Sequence, residues 1–239
     1  MCLIISHRGY RENSTAVENT SNAMIRSIGL GARAIEFDVH LTSCGTLVLF
    51  HNDTFECNGT MKYISETSYA EIRASIPSLE TLDEFLTNIY ESVDQSIVSR
   101  LTLVVDVKTI LFFDGVGLLG NTLLEHLSTY RIFGFNFVIT SFNHSFIESY
   151  LHSDECSFPT GVLIYHVPSK YAIERPDFPE WVGIDHSQIS GGLVEMFHSC
   201  GKKIYAYTPN TEMEIRKCVD AGVDGIYTDA LELAQRIVL

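Results

Sequence analysis

No run of apolar residues in this 239-residue chain approaches the ~20 that a membrane span needs, so a transmembrane helix is excluded. Basic residues are scarce as well. Sixteen Lys plus Arg stand against thirty Asp plus Glu, a formal charge of −14 whose field repels a nucleic-acid backbone or an anionic bilayer. Neither a nucleic-acid partner nor a stable membrane anchor is expected. The six cysteines (Cys2, Cys44, Cys57, Cys156, Cys200, Cys218) include no Cys-x-x-Cys pair, which argues against a zinc knuckle. The polar His7-Arg8-Gly9 follows Met1 too closely for the apolar stretch of a signal peptide, so a cytoplasmic chain with reduced thiols is expected. There is no low-complexity tract, Pro/Gly linker or internal repeat to divide the sequence. With 46% hydrophobic residues, enough for a sizeable core, residues 1–239 read as one domain with no separate inserted domain.

What is present is an alternation of β-branched or aromatic runs with amphipathic stretches, the pattern of βα units around a parallel sheet. Candidate strands are Leu3–His7, Ala34–Val39, Leu47–His51, Leu101–Val107, Phe137–Phe142, Gly161–Tyr165, Val182–Asp185, Lys203–Thr208 and Asp224–Thr228. These nine exceed a (β/α)8 barrel by one. Parallel neighbours need a crossover of about a dozen residues, and only His40–Thr46 joins Ala34–Val39 to Leu47–His51, so that pair must be an antiparallel hairpin. A turn centred on Cys44-Gly45 would set Asp38 opposite His51 and Val39 opposite Phe50. Eight parallel strands remain, with helices expected over Thr20–Ile28, Leu82–Tyr90, Val116–Thr129, Ser145–Leu151, Leu193–Cys200, Glu212–Val219 and Leu231–Val238. Thr20 or Ser21 can cap the first helix, Thr211 with Glu214 forms a capping box, and Ala221-Gly222 ends the penultimate helix.

In such a barrel the carboxyl ends of the strands carry the chemistry. Glu36 and Asp38, two apart in a strand, share a face, and Asp106 sits within the apolar Val104–Val107 run. Three inward carboxylates without a soft ligand suit a hard divalent cation, Mg²⁺ or Ca²⁺ with Mn²⁺ as a further choice, rather than zinc. His7 and His51 end different strands and can serve as a general acid and base near neutrality. Arg8 and Lys108 add fixed positive charge in an acidic protein, so an anionic small molecule is the expected substrate. The remaining histidines, including His40, His126 and His152, are assigned structural roles, with His166 and His186 kept as minor candidates because they follow strands.

His7-Arg8-Gly9, Glu18-Asn19-Thr20, Glu36-Phe37-Asp38-Val39, Leu49-Phe50-His51, Pro77–Leu82, Asp106-Val107-Lys108, Ser141-Phe142-Asn143 and Val223–Asp229 resemble, in order, the motif series of the glycerophosphodiester phosphodiesterase family. The resemblance implies a (β/α)8 barrel that hydrolyses phosphodiesters, releasing sn-glycerol 3-phosphate and an alcohol from deacylated phospholipids with a divalent metal. It further implies His7 and His51 as the acid–base pair, Glu36, Asp38 and Asp106 as metal ligands, and Arg8 and Lys108 as phosphate contacts, with Glu18, Asn19 and Tyr207 at the substrate edge. There are departures. Asp106 stands where the family usually has Glu, as in the sphingomyelinase D-like branch of the superfamily; Asn52 replaces a common Asp, Val17 a Pro, and Tyr207 a Trp. Two alternatives stay open, a lysophospholipase D or sphingomyelinase D-like enzyme that stops at a cyclic phosphate, and a catalytically silent phosphate-binding barrel. The short link from His51 to Pro77 is expected to leave the site open on that side.

Overall fold

The computed structural model describes residues 2–11, 16–109, 116–151 and 158–238; His152 and Cys156 lie outside them. The strands are β1 (Leu3–His7), β2 (Ala34–Leu41), β3 (Leu47–Leu49), β4 (Thr54–Cys57), β5 (Thr60–Tyr63), β6 (Thr102–Val107), β7 (Asn136–Ser141), β8 (Thr160–Ile164), β9 (Trp181–Asp185), β10 (Lys203–Tyr207) and β11 (Gly225–Thr228). The helices are α1 (Ser21–Gly29), α2 (Tyr69–Ser75), α3 (Leu82–Ser92), α4 (Gln95–Val98), α5 (Val116–Arg131), α6 (His144–Leu151), α7 (Lys170–Ile173), α8 (Gly191–Ser199), α9 (Glu212–Ala221) and α10 (Leu231–Val238). Strands β1, β2 and β6 to β11 pair in parallel around a ring that closes where β1 meets both β2 and β11, giving a (β/α)8 barrel. No described helix is long and apolar enough to cross a membrane.

The helix ends follow the local signals. The Thr20 hydroxyl accepts from the Ala23 amide to cap α1, Thr211 and Glu214 close a capping box on α9, and Gly222 ends α9 at φ +87°. Most of the core lies between the ring and its helices, where Ile35, Phe37, Leu103, Val105 and Ile139 meet Met24, Phe85, Leu123 and Leu127. The floor of the barrel is filled by Ile5, Ala34, Val104, Tyr205 and Tyr227, with Trp181 stacked on Tyr205 at 3.6 Å and donating from Nε1 to the Tyr227 hydroxyl. Gly225 makes this stack possible, because a Cβ there would lie 2.8 Å from the Tyr205 ring. The floor is therefore solid, and the polar inward residues lie above it.

Strand β3 is the antiparallel return on β2, outside the ring. Its register differs by one residue from the sequence expectation: Val39 faces Leu49 and Leu41 faces Leu47, so Asp38 is not opposite His51. The loop has three residues, Ser43 to Gly45, with Gly45 in the left-handed region at φ +80° and the Gly45 amide donating to the Thr42 carbonyl. Such a loop centres on Cys44 rather than on the Cys44–Gly45 bond. The strand also ends at Leu49, so the face alternation that the register would impose does not reach His51. The side expected to be open holds a second hairpin, β4 with β5, packed with α2 around Phe55, Ile64 and Ile72.

Candidate active site

Parallel pairing sets His7 beside Glu36 and Asp38 beside Asp106, which brings three strand ends together at the top of the barrel. Side-chain oxygens of Glu36, Asp38 and Asp106 lie within 4.8 Å of one another, and all three residues are at most 4% exposed. Two cations reach them. Lys108 Nζ is 2.9 Å from Asp38 Oδ1 and 2.5 Å from Asp106 Oδ2, and Arg8 Nε is 3.2 Å from Asp38 Oδ2. Three carboxylates against two cations leave one charge uncompensated. Burial and the neighbouring Asp38 and Asp106 accordingly hold the Glu36 carboxyl well above its usual range. Burial also raises Asp106, although Lys108 opposes it, whereas at Asp38 the pull of Lys108 and Arg8 overcomes burial and lowers the carboxyl. Asp106 and Asp38 in turn raise the Lys108 ammonium despite its burial. Asp106 Oδ1 is buried and accepts no hydrogen bond among the described residues, and Asp38 Oδ1 meets only the Lys108 ammonium, so both have room for a further cation.

Both histidines line the same cavity of about 940 Å³ as Arg8, Glu36, Asp106, Lys108 and Tyr207. His7 donates from Nδ1 to Asp229 Oδ1 at 2.9 Å and turns Nε2 toward Glu36, 3.9 Å away. His51 donates from Nδ1 to Asn52 Oδ1 at 2.9 Å, and burial lowers its pKa. Each imidazole is thus tethered by Nδ1. The tether of one is a carboxylate and that of the other a neutral amide. Tyr207 contributes its ring to the wall while its hydroxyl donates to the Ile164 carbonyl, and Phe142 packs between Tyr207 and a stacked Tyr165.

Glu18 and Asn19 do not line the cavity. Asn19 is buried with φ +56°, its amide donating to Asp38 Oδ2 at 2.8 Å while its carbonyl accepts from the Asp38 backbone at 3.0 Å. Glu18 pairs with Arg8 and Arg11. Arg8 also has φ +56°, and its backbone amide donates to the Glu36 carbonyl. Two residues in this sparsely populated region, both touching Asp38, mark a place where structure is held against local preference.

Residues outside the predicted site set also bear on the site. Asp229 holds His7 and is itself gripped by Asn210 and Arg11; it lies 222 residues from His7, and the only signal for it was its place in the last quoted motif. His40, assigned a structural role, is 3% exposed, and its buried Nε2 has no hydrogen-bond partner among the described residues. The β4–β5 hairpin adds Thr54 and Tyr63 to the cavity wall, for which the sequence offered no periodic signal. Glu80, also in a quoted motif, works elsewhere, accepting from the Ser21 amide and hydroxyl at the start of α1.

A solid barrel with acids, imidazoles and fixed cations gathered on one open rim defines the class, a (β/α)8-barrel hydrolase. Residues 7–233 match the Glycerophosphoryl diester phosphodiesterase family, and the chain belongs to that family. A glycerophosphodiester phosphodiesterase of Caldanaerobacter subterraneus subsp. tengcongensis is 26% identical over 99% of this chain and 97% of its own. One of Bacillus altitudinis is 25% identical over 99% and 98%. Among solved structures, an Oleispira antarctica phosphodiesterase in complex with the product sn-glycerol-3-phosphate superposes with TM-score 0.82 at 21% identity, covering 99% of this chain and 96% of that one. A glycerophosphodiester phosphodiesterase of Parabacteroides distasonis gives 0.80 at 20%, with coverage of 99% and 96%.

Proposed function

We propose that this single-domain barrel is a divalent-metal-dependent glycerophosphodiester phosphodiesterase, releasing sn-glycerol 3-phosphate and an alcohol from deacylated phospholipids by His7/His51 acid–base catalysis. The observation that carries the reading is the pair of tethered imidazoles on one cavity with a buried, charge-deficient acid triad. Glu36, Asp38 and Asp106 would hold Mg²⁺, Ca²⁺ or Mn²⁺, since the uncompensated charge and the unpartnered Asp106 Oδ1 fit a hard cation with oxygen ligands. Such an ion, when bound, supplies Lewis acidity toward a phosphate oxygen and the acidity of a coordinated hydroxyl.

Arg8 and Lys108 hold the phosphate by charge. One histidine takes the proton of the substrate's own glycerol hydroxyl as its oxygen attacks phosphorus; the other gives a proton to the departing alkoxide, and a cyclic phosphate results. Water then opens the ring with the two proton roles reversed. Asp229 and Asn52 keep each Nε2 directed at the cavity, and the Phe142 and Tyr207 rings exclude water on one flank. Asn19 fixes Asp38 from behind. Incubation with glycerophosphocholine tests the reading: choline and sn-glycerol 3-phosphate should form with Mg²⁺, Ca²⁺ or Mn²⁺ and not in excess chelator. Accumulation of a cyclic phosphate alone would move the chain to the cyclising branch, and tight substrate binding without turnover would leave a binding barrel.

A further inference from the structure

The crossover from β8 to β9 carries only the four-residue helix α7, whereas the other one-helix crossovers of the ring carry eight to sixteen residues. One helical turn cannot cover the outer face of a barrel strand. A groove of about 450 Å³ is left between α6 and the segment that follows β8, walled by Ile147, Val162, Ile164, Ala172, Phe178 and Pro179. It adjoins the catalytic cavity, because Phe142, Leu163 and Tyr165 line both. The partition between them is the Phe142–Tyr165 stack, centroids 4.5 Å apart, and Tyr165 is 66% exposed, so the partition is a low ridge rather than a closed wall. Polar side chains line part of the groove: Arg175 pairs there with Asp177 and His144 with the Leu163 carbonyl, and Glu148 and His166 complete the polar lining.

We infer that this groove is a subsite for one aliphatic chain carried by the phosphodiester substrate, so that single-chain phosphodiesters bind more tightly than chainless ones. The inference rests on the phosphodiesterase reading above and extends it to substrate class. Chemistry and size select the occupant. Nearly half of the lining is aliphatic, and the Phe142 and Tyr165 rings stack on each other instead of flanking a space for a quaternary ammonium. If a methylene fills about the share of a liquid water molecule, ~30 Å³, 450 Å³ holds roughly ten to fifteen of them. A phosphate held at Arg8 and Lys108 with its chain laid over the Tyr165 ridge would bury carbon against the aliphatic part of the groove.

The test is calorimetric titration of the Mg²⁺-loaded protein with alkylphosphocholines of four, six, eight and ten carbons, each below its micellar concentration. These ligands are phosphodiesters without a glycerol hydroxyl, so binding is read apart from turnover. In a groove open on one side each carbon should tighten Kd about twofold, half the gain of full burial on a logarithmic scale, or on the order of 50-fold from butyl to decyl. Ala172→Trp, which fills the groove, and Ala172→Glu, which places a carboxylate in it, should each cut that gain to less than about fivefold. A flat series in the wild-type protein overturns the inference, as does a chain-length gain that survives both variants. Turnover of glycerophosphocholine with a flat series removes the groove alone; loss of both turnover and phosphocholine binding removes the phosphodiesterase reading with it.

Discussion

Asp229→Asn offers the sharpest test of how the site is held. One carboxylate oxygen, Oδ1, accepts from His7 Nδ1 and Arg11; the other, Oδ2, accepts from Asn210 Nδ2 at 2.7 Å. The Asn210 side chain cannot turn over to suit a change, because its own oxygen accepts from the Asp229 backbone amide at 2.8 Å and from the Thr228 hydroxyl at 3.0 Å. An asparagine at 229 has one oxygen for these three donors. Facing His7 and Arg11, it keeps the imidazole tautomer, sets two amide groups donor to donor at Asn210, and loses the anion beside the imidazolium that forms during proton transfer. A charge-assisted hydrogen bond contributes ~1.5–3 kcal/mol. With the Asp229 side chain 34% exposed, solvent screening favours the lower half of that range. At about 2 kcal/mol, kcat falls roughly 30-fold, and the donor clash costs about 1 kcal/mol of stability.

The exchange Asp229→Asn with Asn210→Asp separates the two effects. The new carboxylate at 210 can accept from the amide at 229 while its second oxygen still serves the 229 backbone and Thr228, so every hydrogen bond is restored and only the charge has moved away from His7. Urea unfolding should return to within about 0.5 kcal/mol of wild type, while kcat on glycerophosphocholine stays at least about fivefold low. The reasoning is refuted if Asp229→Asn keeps kcat within about threefold of wild type, or if the exchange restores kcat in full.

Three further outcomes are expected. His7→Ala and His51→Ala should each lower kcat by at least ~10²-fold with smaller changes in KM, and His126→Ala should not; near-normal kcat in either on a poor leaving group would exclude that imidazole from proton transfer. Asp38→Ala should weaken Mg²⁺ affinity more than Asp106→Ala does, because Asp38 lies between the other two acids and both cations; calorimetry showing the reverse order would place the ion nearer β6. Burial lowers the His40 pKa to about 4 from an unfolded value near 6.5. The native state therefore resists a proton that the unfolded chain accepts, and the associated stability is present above pH ~6.5 and lost as pH falls toward 4, about 3 kcal/mol in all. His40→Gln should flatten that part of the urea-unfolding profile, and an unchanged slope between pH 6.5 and 4.5 would show that His40 already carries its proton in the native state.

The ring of strands was legible because each is a short β-branched or aromatic run, and the extra strand because a seven-residue link cannot cross over a barrel. Glu36, Asp38 and Asp106 were legible for a related reason: a carboxylate on the inward face of an apolar strand contradicts its surroundings. The capping box at Thr211 and the stop at Gly222 are local and needed nothing else. Failures began where a feature depended on a backbone angle or on a residue far along the chain. The register of β3 turned on the left-handed Gly45, which recentres the loop by half a residue. The β4–β5 hairpin has exposed Met61 and Tyr63 where an alternating pattern would place core, so periodicity passes over it.

Composition, hydrophobic period and turn chemistry, which act over a few residues, thus determined the elements and the barrel and singled out the carboxylates and imidazoles that meet at its rim. Only closure of the ring decided what faces what. It set β11 against β1, so that Asp229 at one end of the chain holds His7 at the other. It buried His40 on β2, and it left α7 too short to cover β8, opening the groove beside the site. Contacts between residues this far apart in sequence carry no local propensity, and they exist only once the barrel is shut.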